Sequence, residues 1–481
     1  MASAETLAKY EMTIGIECHV QLATDTKLFS GADNDARDKS PNSVVSPIDF
    51  GLPGMLPVLN RQAVNLAIKA GKALNAPIAR LSRFDRKHYF YPDLPKGYQT
   101  TQMYHPIIEA GYIDAPLEDG SSVRVRIHHA HMEEDAGKLT HFGDYSLVDL
   151  NRAGTPLIEI VSEPDIHSAE AAKAYASELH KLMTYAGVTH GDLYHGNMRF
   201  DVNLSVALKG ATELGTRAEV KNLNSFRSVE KAAEYEFNRQ IDRLESGETI
   251  VQETRGWDEA AQKTNSQRSK EDAQDYRYMP DADIPPIVLT DEEVERIQSE
   301  VPILPPEYRS HWTGLGIDKS VTDSLLANQL YAKTITAIQQ KAGDTTAKRI
   351  AHWFSSALGG EDAPVVDESM LRIDDLIALA AMVDANELSS TAAKEIFIDV
   401  LSSTDSPRAI AERKNMLQVS DEGAIAAIVD EVLADPASAK AVADIKAGND
   451  KVIGFLVGQI MKKSQGKANP ALAQKLIRER L

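Results

Sequence analysis

The clearest pattern in the chain is an alternation of apolar and polar residues along TIGIECHVQL, residues 13–22. Its even-numbered positions are all apolar: Ile14, Ile16, Cys18, Val20 and Leu22. A period of two predicts a strand with one face in the core. Glu17 and His19 then stand roughly 7 Å apart on the other face. They are either ordinary polar residues of a half-solvated strand or the start of a metal or phosphoryl-transfer site.

Other segments repeat this period or change to a helical one. MRFDVNLSV, residues 198–206, alternates strictly and puts Asp201 and Asn203 on its polar face. Two long segments instead carry apolar residues at helical spacing, and Ser168 and Ser225 are suitable N-caps for them. Because strands and helices do not alternate as βαβ units, we predict an α+β fold with a largely antiparallel sheet.

Breaks in these patterns divide the chain. Three prolines in VPILPPEYRSHW, residues 301–312, predict a linker. The sequence beyond it is helical, and a second break at residues 401–409 leads to a small module whose last helix begins at Asn469 and Pro470. We predict an α+β domain over residues 1–292, an all-α domain over 293–405 and a small α-helical tail domain over 406–481.

Composition restricts the class of protein. The 481 residues are 43% hydrophobic and 26% charged, which is typical of globular domains. No apolar run approaches the ~18 residues of a membrane span, and the first residues lack a signal-peptide pattern. We therefore expect a cytoplasmic protein with no membrane partner. Cys18 is the only cysteine, which excludes an internal disulfide and a zinc site built on several thiolates.

The net charge of −19 argues against a protein that coats nucleic acid, since phosphate contacts need clustered Lys and Arg. The C-terminal end is the exception. From Lys451 onward there are seven Lys or Arg residues, among them Lys462, Lys463 and Lys467, and one acid. This end could meet a polyanion, or it could be a solvated helical surface.

Carboxylates are the best candidates for chemistry, because the common nucleotide-binding and nucleophile motifs are missing. HMEEDAGK carries Glu133 and Glu134 in succession, and Glu159 interrupts the apolar run LIEIVSE. A glutamate in such a run is costly to bury unless it is paired or metal-bound. Together with Glu17 and His19, these residues would suit Mg²⁺ that carries phosphates. The alternative is a set of surface acids in an acidic protein.

Two basic segments could hold a phosphate. FDRKHYFYPDLPKGYQ, residues 84–99, interleaves Arg86 and Lys87 with aromatic rings, a combination that can bind a nucleotide or an RNA end. Lys221 precedes the helix that begins after Ser225, and a helix N-terminus favours an anion. A rigid Pro–Gly loop and plain helix capping explain the same residues.

Seven blocks of the sequence resemble, in the same order, blocks of one family, the B subunit of the bacterial aspartyl/glutamyl-tRNA(Asn/Gln) amidotransferase. They are IGIECHVQL, FDRKHYFYPDLPKGYQ, HMEEDAGK, NRAGTPLIEIVSEPD, MRFDVNLSV, EVKNLNSFRSVEKAAEYE and DYRYMPDADIP. The C-terminal VIGFLVGQIMKKSQGKANPALAQKLIRERL is similar to the tail domain of that family. The resemblance covers nearly the whole chain.

The resemblance implies an ATP-dependent carbon–nitrogen ligase with glutamine as the amido donor. Such a subunit uses ATP and Mg²⁺ to phosphorylate the side-chain carboxylate of misacylated Glu-tRNA(Gln), Asp-tRNA(Asn) or both, and ammonia then displaces the phosphate. An amidase A subunit supplies the ammonia, and a small C subunit completes a heterotrimer. The implied fold is an antiparallel cradle related to glutamine synthetase, followed by a helical domain and a tail that contacts tRNA.

The same resemblance assigns roles to residues by motif. The metal ligands would be Glu17, His19, Glu133, Glu134 and Glu159. The implied catalytic residues are Asp201, Asn203 and Lys221. Contacts to ATP would come from Arg86, Lys87 and Lys221. Contacts to tRNA would come from Lys462, Lys463 and Lys467.

The chain departs from the family at one place. Many members carry a zinc knuckle of four cysteines, and here Ser30, Ala32, Ser46 and Asp49 stand at those positions, so we expect no structural zinc. Two other functions stay open from the residues alone. One is a standalone ATP-dependent carboxylate–amine ligase, and the other is a non-catalytic RNA-binding scaffold, which would need the basic tail but not the Glu and His residues on the strands.

Overall fold

The computed structural model describes residues 3–269, 276–358, 366–418, 422–464 and 468–481. The chain divides into two compact units, Met1–Pro305 and Pro306–Leu481. In its described part, the first unit contains a large sheet with helices, and the second is entirely helical. The mixed α and β composition predicted from the sequence is therefore confirmed.

The first unit carries all the strands of the described residues. They are β1 (Tyr10–Gln21), β2 (Leu81–Ser82), β3 (Asp85–His88), β4 (Tyr98–Thr101), β5 (Gly111–Pro116), β6 (Ser122–Glu134), β7 (Lys138–Phe142), β8 (Tyr145–Asp149), β9 (Pro156–Ser162), β10 (Met198–Leu208), β11 (Ala218–Leu223), β12 (Glu253–Asp258), β13 (Lys263–Ser269), β14 (Met279–Pro280) and β15 (Ile287–Val288). Its helices are α1 (Ala4–Leu7), α2 (Arg61–Ala73), α3 (Ala169–Tyr185), α4 (Phe226–Glu245) and α5 (Asp291–Ser299).

Eight strands form the main sheet, in the order β13-β12-β11-β10-β1-β9-β6-β5. Neighbouring strands are antiparallel except β11 and β12, which are parallel. The first strand of the sequence pattern, β1, lies inside the sheet between β10 and β9. Three short sheets accompany it: β14-β3-β4, β15-β2 and the hairpin β7-β8.

One face of the main sheet lies in the core. The even-numbered residues of β1 from Ile14 to Val20 are almost completely buried, as the alternation predicts. Helices α3 and α4 pack against each other, and they begin at the predicted caps. Ser168 Oγ accepts a hydrogen bond from Ala171 N, and Ser225 Oγ accepts one from Ser228 N, both at 3.0 Å. The opposite face of the sheet is left for polar side chains.

The second unit consists of helices. They are α6 (Pro305–His311), which begins at the boundary, α7 (Lys319–Leu326), α8 (Gln329–Leu358), α9 (Ile373–Asp384), α10 (Ser390–Val400), α11 (Pro407–Arg413), α12 (Glu422–Ala434), α13 (Ala439–Lys446), α14 (Ile453–Lys463) and α15 (Pro470–Arg480). Helix α11 packs on α9 and α10. Helices α12 to α15 share a core of their own that includes Val429, Leu456 and Leu476. None of the helices in the described part of the chain combines the length and the apolar composition that a membrane span requires.

The proline-rich stretch differs from the linker that its sequence predicts. The boundary between the units does fall within residues 301–312. However, α6 begins at Pro305 and continues into a short 3₁₀ segment from Trp312, whose ring is buried. Proline fits the first turn of a helix because that turn leaves its backbone N–H groups without partners, so Pro305 and Pro306 begin a helix.

Candidate functional site

The polar face of the main sheet collects charged side chains from adjacent strands. Cross-strand pairing aligns His131 of β6 with Glu159 of β9, and Glu159 with His19 of β1. His19 in turn pairs with Arg199 of β10. Directly opposed residues have Cβ atoms roughly 5 Å apart, so the four side chains form a row across the sheet.

Two members of this row, His19 and Glu159, define together with Glu133 of β6 what we call the first group. One ligand atom from each lies within 4.8 Å of the others. His19 Nε2 is 3.5 Å from Glu133 Oε1 and 3.6 Å from Glu159 Oε2. His131 closes the group from the other side, with its Nε2 3.3 Å from Glu159 Oε2. The group is partly enclosed, since Glu133 is buried and His19 is about half-buried.

The second group consists of Glu17, Asp201 and Glu219, whose carboxylate oxygens also lie within 4.8 Å of one another. Glu17 is directly opposite Asp201 on the neighbouring strand. Asn203 Nδ2 donates a hydrogen bond of 3.0 Å to Glu17 Oε1. Lys221 Nζ lies 2.7 Å from Asp201 Oδ2 and 3.0 Å from Glu219 Oε1. An amide and an ammonium group therefore hold three carboxylates in place.

The two groups influence each other through charge. Burial raises the pKa of Glu17, and the carboxylates of Glu159, Glu219 and Asp201 raise it further. Burial would also raise the pKa of Glu159, but its hydrogen bond to His131 and the positive charge there hold that pKa well below its usual range. Repulsion among partly buried carboxylates is what a bound divalent cation relieves.

Two basic side chains next to these acids have raised pKa values. Burial alone would lower the pKa of His131, but hydrogen bonds to Glu133 and Glu159 raise it to about 10. Burial would likewise lower the pKa of Lys221, and the carboxylates of Asp201 and Glu219 outweigh it and raise that pKa. Both side chains are therefore cations that partly neutralise the acids.

The donor atoms of both groups fit Mg²⁺ that carries phosphates. Mg²⁺ prefers oxygen ligands and usually takes only one or two protein carboxylates, so that water and phosphate complete its shell. The first group offers two carboxylates with one imidazole, and the second offers three carboxylates. The side chains could therefore hold one ion in each group and leave coordination positions for a substrate.

The two predicted phosphate ligands of β3, Lys87 and Arg86, contact different parts of the structure. Lys87 Nζ lies 4.7 Å from the centroid of the Tyr276 ring, and its charge helps to lower the pKa of Glu159. Arg86 instead forms an ion pair with Asp281, with its Nε 2.9 Å from Asp281 Oδ2. The strand thus brings Lys87 toward the first group, whereas Arg86 fixes the segment around β14.

Glu134 is not among the acids that the structure brings together. It is adjacent to Glu133 on β6, and successive side chains of a strand point to opposite faces. Glu134 is buried, pairs with Lys96 and accepts a hydrogen bond of 3.0 Å from Thr100 N. Its contacts therefore join the main sheet to β4.

The predicted tRNA contacts lie in the second unit. Lys462 and Lys463 occupy the last turn of α14. Lys463 Nζ is 3.1 Å from Glu431 Oε2 of α12. Lys467 lies outside the described residues.

Comparison with known proteins shows the family to which the chain belongs. Residues 12–295 match the family described as the GatB/GatE catalytic domain, and residues 330–481 match the family described as the GatB domain. A protein of Persephonella marina, named as the B subunit of aspartyl/glutamyl-tRNA(Asn/Gln) amidotransferase, is 45% identical over 482 residues, covering 98% of this chain and 100% of the relative. The chain belongs to this family of amidotransferase B subunits.

Other B subunits are similar over the same length. The relative in Trichodesmium erythraeum is 44% identical, with 98% of both chains covered. The relative in Alkalilimnicola ehrlichii is 45% identical, with 98% of this chain and 99% of the relative covered.

In this B-subunit chain, sequence reasoning missed three side chains of the polar face. His131 precedes Glu133 by two residues, and Glu219 precedes Lys221 by two, so each shares a strand face with a residue that was selected. Extending each alternation by one step would have found both. Arg199 lies on the same face of β10 as Asp201 and Asn203. Its Nη2 is 2.8 Å from Asp135 Oδ2.

The loop that carries a zinc knuckle in many B subunits is held by polar contacts in this chain. Asp49 Oδ2 accepts hydrogen bonds from Ser46 N at 2.9 Å and from Ser30 Oγ at 3.1 Å. Lys27 Nζ lies 3.4 Å from the same oxygen, and its side chain is completely buried. Ala32 N donates to Ser30 Oγ at 3.4 Å. All four positions that lack cysteine thus belong to one small network.

Proposed function

We propose that this chain is the ATP-dependent subunit of a tRNA-dependent amidotransferase. It transfers the γ-phosphoryl group of ATP to the side-chain carboxylate of Glu on tRNA(Gln), of Asp on tRNA(Asn), or of both. Ammonia then attacks the activated carbonyl carbon, inorganic phosphate leaves, and a proton is lost from the nitrogen. The products are Gln-tRNA(Gln) and Asn-tRNA(Asn), together with ADP and phosphate.

The single observation that carries this proposal is the pair of acid groups on one sheet face. Phosphoryl transfer depends on positioning and on neutralising charge, with little covalent work for the protein. His19, Glu133 and Glu159 would hold one Mg²⁺, and the residues of the second group would hold another. When bound, Mg²⁺ neutralises the phosphate oxygens.

The remaining residues of the chain position these groups. Asn203 fixes the Glu17 carboxylate, and Lys221 can move from Asp201 toward a phosphate oxygen without leaving the face. Lys87 lies on β3, close enough to Glu159 for its charge to lower the pKa of that carboxyl, so it is placed to contact a phosphate bound at the first group. Asp201 lies in the second group, so its role is to hold the metal and Lys221 rather than to act as a base.

We infer that a partner supplies the ammonia. Cys18 is the only cysteine in the sequence, it is buried, and burial raises the pKa of its thiol well above the usual value. A buried protonated thiol is a poor nucleophile, so it cannot serve a glutaminase. The relatives are named as B subunits, which fits a heterotrimer with an amidase A subunit and a small C subunit.

The architecture is part of the same proposal. The first unit would act as the cradle related to glutamine synthetase. A helical domain would follow it up to residue 405, and residues 406–481 would form a tail that contacts tRNA through Lys462, Lys463 and Lys467. The polar network around Asp49 would replace a structural zinc. We place the enzyme in the cytoplasm, where charged tRNA is used.

The proposal is tested by amide formation on misacylated tRNA in the presence of the A and C subunits, with ammonium chloride in place of glutamine. We expect product only with ATP and Mg²⁺ together. Amide formation that needs no ATP would contradict the proposal. Tight tRNA binding without ATP turnover would instead favour an RNA-binding scaffold, and full activity of the chain alone would favour a standalone ligase.

A further inference from the structure

Strand β6 changes the parity of its buried positions in the middle. In its first half the core-facing residues are Val125 and Ile127, at odd numbers. In its second half they are Ala130 and Met132, at even numbers. The register with β9 shifts between Ile127 and His129, which lie opposite neighbouring residues of that strand. One extra residue in a strand is a β-bulge, and a bulge re-aims the side chains around it.

The bulge places two consecutive histidines on the polar side of the sheet. His128 is exposed and continues the exposed even-numbered positions of the first half, such as Arg126. His129 is half-buried and shares its strand face with His131, two residues further on. We call His128, His129 and His131 the histidine row. It leads from solvent to the first group.

Short contacts join the three imidazole rings. His128 Nδ1 lies 2.7 Å from His129 Nδ1, and His129 Nε2 lies 3.1 Å from His131 Nδ1. The rings of His129 and His131 are also stacked, with centroids 5.2 Å apart and an angle of 19° between their planes. Both nitrogens of His129 therefore have a partner, and its ring covers that of His131.

His129 can pair with His131 whichever of the two rings donates. Burial, together with the charges of His131 and His128, lowers the pKa of His129 to about 4. His129 is therefore a neutral imidazole, which offers one donor and one acceptor nitrogen. His131 Nδ1 needs such a partner, because only 12% of the His131 side chain is exposed.

The orientation of His131 bears directly on the first group. His131 Nε2 is 3.3 Å from Glu159 Oε2 and 3.8 Å from Glu133 Oε2. His19 also contacts Glu159, but a metal ion in the first group would engage His19 itself. Side chains that hold a ligating carboxylate from outside tune the affinity for the metal. A ring fixed at both nitrogens holds the carboxylate better than one that is free to turn.

We propose that His129 is a positioning residue of the first group. Its hydrogen bond and its stacked ring hold His131 so that Nε2 of His131 fixes the Glu159 carboxylate for a divalent cation. His128 holds the other nitrogen of His129 from the solvent side. This inference rests on one part of the proposed function, namely that the first group binds a metal ion.

Three changes at His129 separate its hydrogen bond from its ring. His129→Phe keeps a ring for stacking and removes the nitrogen, whereas His129→Gln keeps a polar group that reaches the position of Nε2. His129→Ala removes both. His141→Phe is the matched control, because His141 is an exposed histidine of the hairpin strand β7.

The readout is calorimetric binding of Mn²⁺, a probe for Mg²⁺, to the complete complex with the A and C subunits, without ATP or tRNA. The binding step of the first group is the one that Glu133→Gln removes. We expect His129→Phe and His129→Ala to weaken this step on the order of tenfold, as for the loss of an outer partner of a metal ligand. His129→Gln and the control should keep the wild-type affinity, and all variants should keep the wild-type melting temperature.

Three results would overturn the inference: equal weakening by His129→Gln and His129→Phe, unchanged affinity in every variant at His129, or no binding step that Glu133→Gln removes. Absence of amide formation by the wild type would instead overturn the proposed function. It would leave this inference standing, because the binding measurement uses neither substrate of that reaction.

Discussion

At the residue scale, two neighbours on β1 serve different acid groups. Glu17 meets Asp201 and Glu219, whereas His19 meets Glu133 and Glu159. The alternation in the sequence places Glu17 and His19 on one face, but it does not say which residues of other strands come opposite them. Pairing register decides that, and a single sequence carries no direct signal for register between distant strands.

Neutralising one acid of the first group should slow the reaction strongly. We expect Glu133→Gln or Glu159→Gln to lower amide formation on the order of 10²-fold, because each change keeps the size of the side chain and removes one metal-binding charge. Rates are measured with saturating Mg²⁺ and ammonium chloride. Glu109→Gln, at an exposed position, is the control. Near-normal rates for both first-group variants would rule out the metal assignment.

At the element scale, local patterns account for much of the fold. Period-two segments became β1 and β10, and the serine caps begin α3 and α4, because these signals lie within a few residues of one another. The order of the main sheet, with β1 between β10 and β9, depends on contacts between distant residues. Glu134 shows how far motif matching can predict the site. The motif selected Glu134 as a metal ligand, but the alternation of β6 directs its side chain to the other face of the strand, where it pairs with Lys96.

The loop around Asp49 offers an element-scale prediction. We expect Asp49→Asn to destabilise the first unit by roughly 3–5 kcal/mol, because it leaves the buried Lys27 ammonium without its counter-ion. Burial already lowers the pKa of Lys27, which the Asp49 carboxylate opposes. The measurement is the denaturant midpoint of that unit. Asp114→Asn is the control, because it breaks an exposed pair with Arg124 and should cost at most about 1 kcal/mol. Equal losses of stability in the two variants would contradict the role given to the Lys27–Asp49 pair.

The same loop should hold no metal. Elemental analysis of the purified protein is expected to find zinc well below one ion per chain, because Ser30, Ala32, Ser46 and Asp49 supply no thiolate. A stoichiometric zinc ion that survives dialysis against a chelator would show that the polar network is not what fixes the loop.

At the scale of the whole molecule, a chain of net charge −19 has a basic C-terminal end. We expect deletion of residues 419–481 to raise KM for charged tRNA and to flatten its salt dependence, since each phosphate contact adds a salt-dependent contribution. Cutting after Gln418 keeps α11, whose Ile410 is buried. Glutaminase activity of the A subunit should be unchanged.

A less drastic variant controls for loss of stability. The double change Lys462→Ala and Lys463→Ala leaves the core of α12 to α15 intact, because both residues lie in the last turn of α14 outside that core. It should reproduce part of the change in salt dependence without lowering the melting temperature. Unchanged tRNA affinity and an unchanged salt slope in both the deletion and the double variant would mean that the basic end is only a solvated surface.

The central claim is that the side-chain carboxylate of the aminoacyl-tRNA is itself phosphorylated on the polar face of the main sheet. The most direct measurement uses misacylated tRNA whose side-chain carboxylate oxygens are ¹⁸O-labelled, with ATP, Mg²⁺ and ammonium chloride. Since ammonia displaces phosphate from the carbonyl carbon, one labelled oxygen should appear in each inorganic phosphate as the amide forms. Amide formation with unlabelled phosphate would contradict the account.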